Sequence, residues 1–185
     1  MKTLKTLLFV YLAFCCSCAA QTTSNFEWKT FDFSDSGIKL ALPCEPSKSA
    51  KVFQKEPKLA QTYSYNCKKD NFEFSVSLAE HFDDFDPAKA KERFDGVEGL
   101  MRESLGGKAD LSAKDTTFQT FVAREFSIEN ETRLAKAIHF QNKRGFYNVQ
   151  VISQRKPNQS SEDFRDEFQK NTRSFFDSVK ISVNE

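Results

Sequence analysis

Residues 59–80 are LAQTYSYNCKKDNFEFSVSLAE, and this stretch decides the fold. Every second residue from Phe72 to Leu78 is apolar, and the residues between them are polar or small. That period of two is typical of a strand with one buried face. Residues 59–67 alternate in the same way, and the polar segment 68–71 between the two runs is typical of a turn. The stretch therefore predicts a β-hairpin that covers one side of a core.

Further strands are predicted on both sides of this hairpin. The alternating runs are 31–33, 38–42, 109–113, 121–128, 134–141 and 146–154. The last three follow one another through short polar turns, which predicts a meander. Residues 43–57 are rich in Pro, Lys and Ser, and we predict an exposed connection with solvated lysines there.

Two segments carry the spacing of amphipathic helices. The first begins at Asp86, a good N-cap that a proline follows, and the second at Ser160 or Ser161. The predicted inner faces are Ala90, Phe94, Val97 and Met101 in the first helix and Phe164, Phe168, Thr172 and Phe175 in the second. Gly96 and Gly99 lie within the first helix, and we expect them to let it lie close against the sheet.

The order of hairpins, helix, meander and helix predicts the α+β class. Strands and helices that are segregated in this way form an antiparallel sheet with the helices packed on it, rather than a parallel βαβ fold. We expect an antiparallel β-sheet of hairpins and a meander with two helices on it. The predicted organisation is a signal peptide at 1–20, a flexible segment at 21–29 and a single α+β domain at 30–183.

The first twenty residues have the pattern of an export signal. Lys2 and Lys5 precede an apolar run at 7–16, and small residues follow at 17–20. The apolar run is shorter than the roughly 20 residues that a membrane-spanning helix needs. We therefore expect a protein that is exported, either into a periplasm or out of the cell.

Two interpretations of the cleavage site are open. An ordinary signal peptidase would cut after Ala20 and release the chain. A lipoprotein peptidase would cut before Cys18, and acylation of Cys18 would then anchor the protein to a membrane. We expect membrane association only in the second case.

Cys44 and Cys67 remain in the chain after residue 20. A pair of cysteines usually forms a disulfide in an oxidising compartment. Cys44 continues the alternation of the 38–42 strand and Cys67 that of the 59–67 strand, so both thiols are predicted to point to the same buried side. We predict a Cys44–Cys67 disulfide, with two buried thiols or a redox pair as alternatives. No Cys-x-x-Cys motif follows residue 20, which disfavours the redox pair.

Composition restricts the partners. Without residues 1–20 the chain loses two of its 27 basic residues and none of its 26 acidic ones, which leaves a net charge of −1. This balance gives no electrostatic reason to expect nucleic acid. The chain contains 20 phenylalanines among 185 residues, so we expect a core rich in Phe, with a Phe-lined pocket for an apolar ligand as the alternative.

The chain offers little catalytic chemistry. His81 precedes an acidic segment with Asp83, Asp84 and Asp86, and an imidazole with carboxylates is a possible metal set. We expect those carboxylates to favour the helix N-terminus instead, and we predict no metal, no cofactor and no catalytic residue. His139 lies on the strand face opposite Ile138 and Phe140, where we expect solvent. Glycine-rich phosphate loops, nucleophile elbows and His-Glu-x-x-His are absent from the sequence.

Four short motifs resemble the PsbP-like fold, which is named for an extrinsic subunit of photosystem II. They are SGIKLALP at 36–43, REF at 124–126, FYNVQV at 146–151 and FFDSV at 175–179. Ala123 stands where such proteins often carry glycine. The resemblance implies an antiparallel sheet with helices on it and a non-catalytic accessory or binding role, and it implies no catalytic residue.

Three functions follow as hypotheses. The first is an exported, non-enzymatic accessory or binding module of the bacterial cell envelope, whose partner is an unknown protein or small ligand. The second is a carrier of a small apolar ligand in a Phe-lined pocket between helix and sheet. The third is a metal-dependent enzyme centred on His81. A cavity of several hundred Å³ would favour the carrier, since ligand sites start at about 300 Å³.

Overall fold

The computed structural model describes residues 26–55, 58–81, 86–105 and 110–182. The elements are β1 (Lys29–Phe33), β2 (Ile38–Leu42), β3 (Ser47–Lys55), β4 (Lys58–Lys69), β5 (Phe72–Glu80), α1 (Ala90–Leu105), β6 (Asp110–Phe118), β7 (Phe121–Glu129), β8 (Arg133–Gln141), β9 (Gly145–Gln154), α2 (Ser161–Ser178) and β10 (Lys180–Ile181). All strand pairs in these ranges are antiparallel. The α+β class is therefore confirmed.

The predicted hairpin at 59–80 is formed by β4 and β5. Their register pairs Lys69 with Phe72, and Asp70 in the turn has φ 53°, a left-handed conformation that aspartate tolerates. The alternating apolar residues of β5, from Phe72 to Leu78, are at most 1% exposed. The hairpin is thus the inner part of a larger sheet.

The strands form two sheets. Seven strands pair in the order β3-β4-β5-β9-β8-β7-β6, and a small sheet has the order β1-β2-β10. A single sheet was the expectation, and the difference arises at β2. Its two edges are taken by β1 and by β10, which continues directly from α2, so β2 has no free edge for the large sheet.

The predicted connection at 43–57 is wrong for most of its length, because Ser47–Lys55 forms β3. This strand is an edge of the large sheet, and its side chains from Ser47 to Gln54 are all exposed. A strand that is exposed on both faces has no apolar alternation, so its sequence does not differ from that of a polar loop. Lys48 and Lys51 are solvated, as expected, and lysines on an edge strand discourage pairing with other chains.

The large sheet is covered on both faces. The small sheet and α2 cover one face, where Phe168 lies 6.4 Å from Phe72 and Phe175 lies 5.3 Å from Phe74 between ring centroids. Helix α1 covers part of the other face, which we call the α1 face; there Phe94 lies 5.9 Å from Phe146. The main core therefore lies between the large sheet and the layer of α2 and the small sheet.

Helix α2 begins as predicted, whereas α1 begins one 3-10 turn after its predicted start at Asp86. The Ser160 hydroxyl accepts a hydrogen bond from the Asp163 amide at 3.0 Å, and α2 buries the four residues of its predicted inner face. A 3-10 turn at Pro87–Lys89 leads into α1, and Asp86 accepts a hydrogen bond there from the Ala88 amide. These caps satisfy backbone donors that the first helical turn leaves open.

The expected close approach of α1 at its glycines is wrong. A Cβ atom added at Gly96 or Gly99 would meet nothing within 4 Å. Both glycines are exposed, so they weaken the helix without bringing it nearer to the sheet. The close approach occurs instead at Gly145 in β9, where a Cβ would overlap the Ala79 carbonyl oxygen of β5.

Two links fasten the outer parts of the chain to the large sheet. Cys44, just after β2, forms a disulfide with Cys67 in β4, with a Cα–Cα distance of 5.8 Å. In the chain-entropy model such a bridge contributes about 3 kcal/mol. At the start of the described chain, the ring of Phe26 lies 5.5 Å from Phe72, and Trp28 lies 5.4 Å from Phe74. The chain is thus in contact with the main core from residue 26 onward.

Candidate functional site

Arg124 holds α1 to the large sheet. It is 5% exposed, and its guanidinium donates to Asp115 of β6 at 2.7 Å and to Asp95 of α1 at 2.6 Å, with Glu98 at 3.4 Å. A buried cation needs such partners. The hydrogen bond from Arg124 also holds the pKa of the Asp95 carboxyl below its usual value. We therefore assign Arg124 a structural role in attaching the helix.

His139 is buried, and the expectation that it faces solvent is wrong. It does lie on the face opposite Ile138 and Phe140, but that face is under α1, and only 8% of His139 is exposed. The rings of Phe126 and Phe146 meet it edge-on, with centroids at 5.0 and 5.5 Å. Burial lowers the pKa of His139 to about 4, so its imidazole is neutral at pH 7.

His139 belongs to a row of polar residues that crosses the α1 face. Register partners on adjacent strands are Asp115, Arg124, His139, Asn148 and Ser77, in the order β6-β7-β8-β9-β5. Nδ1 of His139 and Oδ1 of Asn148 are buried and have no hydrogen-bond partner within the described ranges. The row separates the interface of Phe94 and Phe146 from the part of the α1 face that contains the groove described next.

A groove lies between the second half of α1 and the large sheet. It is a cavity of about 300 Å³, and its lining is Met101, Phe126, Ile128, Arg133, Ala135, Ala137, Gln150 and Ile152. Ala135 and Ala137 are successive inward positions of β8, between larger side chains of β7 and β9. Two small side chains on the middle strand leave room that α1 does not fill. We name this feature the α1 groove.

Arg133 lies at one end of the α1 groove, where β8 begins. The Asn130 side chain accepts hydrogen bonds from the amides of Thr132 at 3.0 Å and Arg133 at 2.8 Å, and it thereby fixes the turn before the strand. Arg133 is exposed, and it forms no ion pair with any residue in the described part of the chain. The groove thus combines an apolar floor with one available cation.

A second depression, of about 440 Å³, lies on the opposite face between α2 and β8. Its lining is Lys136, Ile138, Phe168, Gln169, Thr172, Arg173, Phe176 and Asp177. Lys136 is already paired with Glu125 at 2.9 Å, and Arg173 shares the lining with Asp177. Charges of both signs in one wide depression favour no particular ligand, so the α1 groove is the better candidate.

His81 and Asp86, two residues of the metal hypothesis, lie on either side of a gap in the described ranges. Nε2 of His81 lies 3.1 Å from the Asn142 carbonyl oxygen, and burial together with Arg93 lowers the pKa of His81. The Asp86 carboxylate accepts the amide of Ala88, while Asp83 and Asp84 are outside the described residues. Within the described ranges no three His, Cys, Asp or Glu residues come together as a potential metal site.

No sequence pattern singles out the α1 groove. The helical spacing predicts Met101 on the inner face of α1, but the alanines of β8 give no signal, because small apolar residues are common in any strand. A pair of alanines at alternate positions of a middle strand, flanked by larger residues on both neighbours, is the pattern that marks such a floor. The predicted signal peptide and the acylation candidate Cys18 lie outside the described residues.

Comparison with protein-family models finds no match for this chain, and neither does comparison with curated proteins. Neither of the two helices in the described ranges is long and apolar enough to span a bilayer. A function is therefore proposed from the α1 groove, the disulfide and the chemistry of the residues around them.

Proposed function

We propose that this chain is an exported, non-enzymatic binding module of a bacterial envelope, and that the α1 groove holds a small, mainly apolar ligand. The observation that carries this proposal is the cavity of about 300 Å³ between α1 and the large sheet, whose lining is apolar except for Arg133 and Gln150. An apolar cavity of about 150 Å³ is known to take up benzene. The groove therefore has the volume and the lining of a ligand site.

The ligand is favoured over a protein partner because of where the aromatic side chains lie. The phenylalanines of the main core pack against one another, as Phe72 does with Phe74 at 5.7 Å. Within the lining of the groove Phe126 is the aromatic residue, and the other apolar side chains are aliphatic. The proposed carrier thus uses an aliphatic floor rather than the Phe-lined pocket that the composition predicted. The PsbP-like resemblance, which implies a binding role, stays a prediction.

Export is supported by the Cys44–Cys67 disulfide, because bridged cysteines persist in oxidising compartments. The predicted signal at 1–20 points to the same compartment. The intact mass of the protein, purified from cells that process it, tests this part. Cleavage after Ala20 gives a chain that begins at Gln21, whereas acylation gives a chain that begins at Cys18 with added lipid mass. A full-length chain with Met1 retained would refute export.

Binding is tested with the fluorescent apolar probe 1-naphthylamine, which is small enough for a groove of about 300 Å³. We expect saturable binding, and we expect Ala135→Phe to weaken it at least tenfold, because a phenyl ring on the floor fills the groove. The matched control is Ala79→Phe, the same change at an exposed position of β5 on the same sheet face but outside the lining, which should leave the Kd within twofold. Absence of saturable binding, or an equal loss in both variants, would refute the site.

A further inference from the structure

We infer that the ligand of the α1 groove is an amphiphile with a single negative charge, whose acidic head pairs with Arg133 and whose apolar tail covers the alanine floor. The inference deepens the proposed function and rests on it. It names the chemical class of the ligand from the charge, the volume and the direction of the groove.

The charge of the ligand is inferred from the residues that line the groove. Arg133 is its one ionisable residue, and no Asp or Glu is among the lining residues within the described ranges. The guanidinium carries no ion pair there, although Glu129 is only four positions away along the chain, because Glu129 points to the other sheet face and binds Arg165 at 2.7 Å. An unpaired guanidinium beside an apolar cavity favours an anion, and its planar fork matches a carboxylate in particular.

The volume gives the size of the ligand. If about 150 Å³ accepts the six carbons of benzene, then about 300 Å³ accepts about twelve non-hydrogen atoms. A ten-carbon carboxylate has that number. The cavity is too small for the drug-sized ligands that fill sites near the upper end of the usual range, about 1,000 Å³.

The orientation of the ligand in the groove follows from the positions of the lining residues along β8. Arg133, Ala135 and Ala137 are successive positions of β8 on the α1 face, so the lined path from Arg133 to Ala137 is about 13 Å long at about 3.3 Å per residue. Phe126, the register partner of Ala137 on β7, lines this end of the groove, and its ring stands edge-on to His139 of the polar row. A linear molecule therefore fits with its head at Arg133, its tail over the alanines and its end near Phe126.

The experiment compares three competitors that share one tail: decanoate, 1-decanol and decyltrimethylammonium, each below its micelle-forming concentration. Each displaces 1-naphthylamine from the wild-type protein at low salt. We expect decanoate to bind about fivefold more tightly than 1-decanol, the upper range for an exposed ion pair, and the cation to bind most weakly. The preference for decanoate should shrink as salt is added, since an exposed pair is screened.

Variants assign the preference to one residue. Arg133→Gln should remove the preference for decanoate and leave 1-decanol unchanged, and Arg133→Lys should retain part of it. The matched control Arg165→Gln removes the same charge from an arginine outside the groove, and it should keep the preference. Equal binding of all three competitors, or an equal loss in Arg165→Gln, would overturn the inference while the proposed function stands. Failure of the probe itself to bind would refute both.

Discussion

Acidification from pH 7 to pH 5 should destabilise the protein through His139. An unfolded histidine has a pKa of about 6.5, whereas burial lowers the pKa of His139 to about 4. Between these values the unfolded chain binds a proton that the folded chain does not bind. The free energy of unfolding therefore falls as the pH falls below about 6.5, and the loss is complete below about 4.

The magnitude follows from the two pKa values. At pH 5 the unfolded imidazole is almost fully protonated and the folded one is about nine-tenths neutral, which costs about 2 kcal/mol. The full loss below pH 4 is about 3 kcal/mol, at 1.36 kcal/mol per pKa unit. Protonation under α1 has no compensation, because Arg124 is the register partner and Arg93 lies on the helix above. The carboxylates of Asp95 and Glu98 already bind Arg124.

The assay is urea unfolding at 25 °C, followed by the fluorescence of Trp28, the single tryptophan of the chain. Its indole contacts Phe74 of the main core, so its emission reports on global unfolding. Measurements are kept between pH 5 and 7, where the pKa of Asp95, held below its usual value, leaves that carboxylate ionised. The two-state extrapolation gives the free energy at each pH.

His139→Phe is the decisive variant. A phenyl ring occupies the same space between Phe126 and Phe146, does not titrate and leaves no buried Nδ1. We expect the loss between pH 7 and 5 to be smaller by about 2 kcal/mol than in the wild type. The control His81→Gln removes the other histidine, and it should keep the contribution of His139. The free energy of unfolding of the wild type could fall by less than about 0.5 kcal/mol between pH 7 and pH 5, or that of His139→Phe could fall by as much as that of the wild type. Either result would contradict the uncompensated burial of His139.

Four other stability predictions use the same assay. Gly96→Ala should raise the free energy of unfolding by about 1 kcal/mol, because the new methyl group meets nothing and helix propensity improves. Gly145→Ala should lower it by about 2 kcal/mol, because its Cβ would overlap a backbone carbonyl of β5, and a loss in both glycine variants would contradict the placement of α1. Replacement of Cys44 and Cys67 by serine should cost about 3 kcal/mol; dithiothreitol should cost the wild type as much and leave the double variant unchanged. Arg124→Gln should cost about 2 kcal/mol, less than a fully buried pair because two of its carboxylate partners are largely exposed, and amide exchange in α1 should rise first.

The sequence predicted those elements whose side chains differ between two faces. The alternation of β5 and the helical spacing of Phe164, Phe168 and Phe175 come directly from burial on one side, so their positions could be inferred. Strand β3 gave no such signal because both of its faces are exposed. The small sheet was not distinguishable from an extension of the large one, because alternation shows that a strand is half buried but not which strand pairs with it.

The α1 groove was not predictable for a related reason. Alternation placed His139 correctly on the face opposite Phe140, but what covers that face depends on where α1 packs. The volume above Ala135 and Ala137 also depends on where α1 packs. To predict that volume, the position of α1 would have to be known to within the size of a side chain. Arg133 gave no signal of its own, since an arginine next to a turn is usually solvated.

The contact of Phe26 with Phe72 also determines from which side of the molecule a chain acylated at Cys18 would be tethered. Eight residue steps separate Cys18 from Phe26, so even a fully extended segment between these two residues spans no more than about 29 Å. Phe26 lies on the side of α2 and the small sheet, whereas the α1 groove lies on the opposite face of the large sheet. Acylation at Cys18 would therefore attach the membrane anchor to the side of the molecule that does not carry the groove.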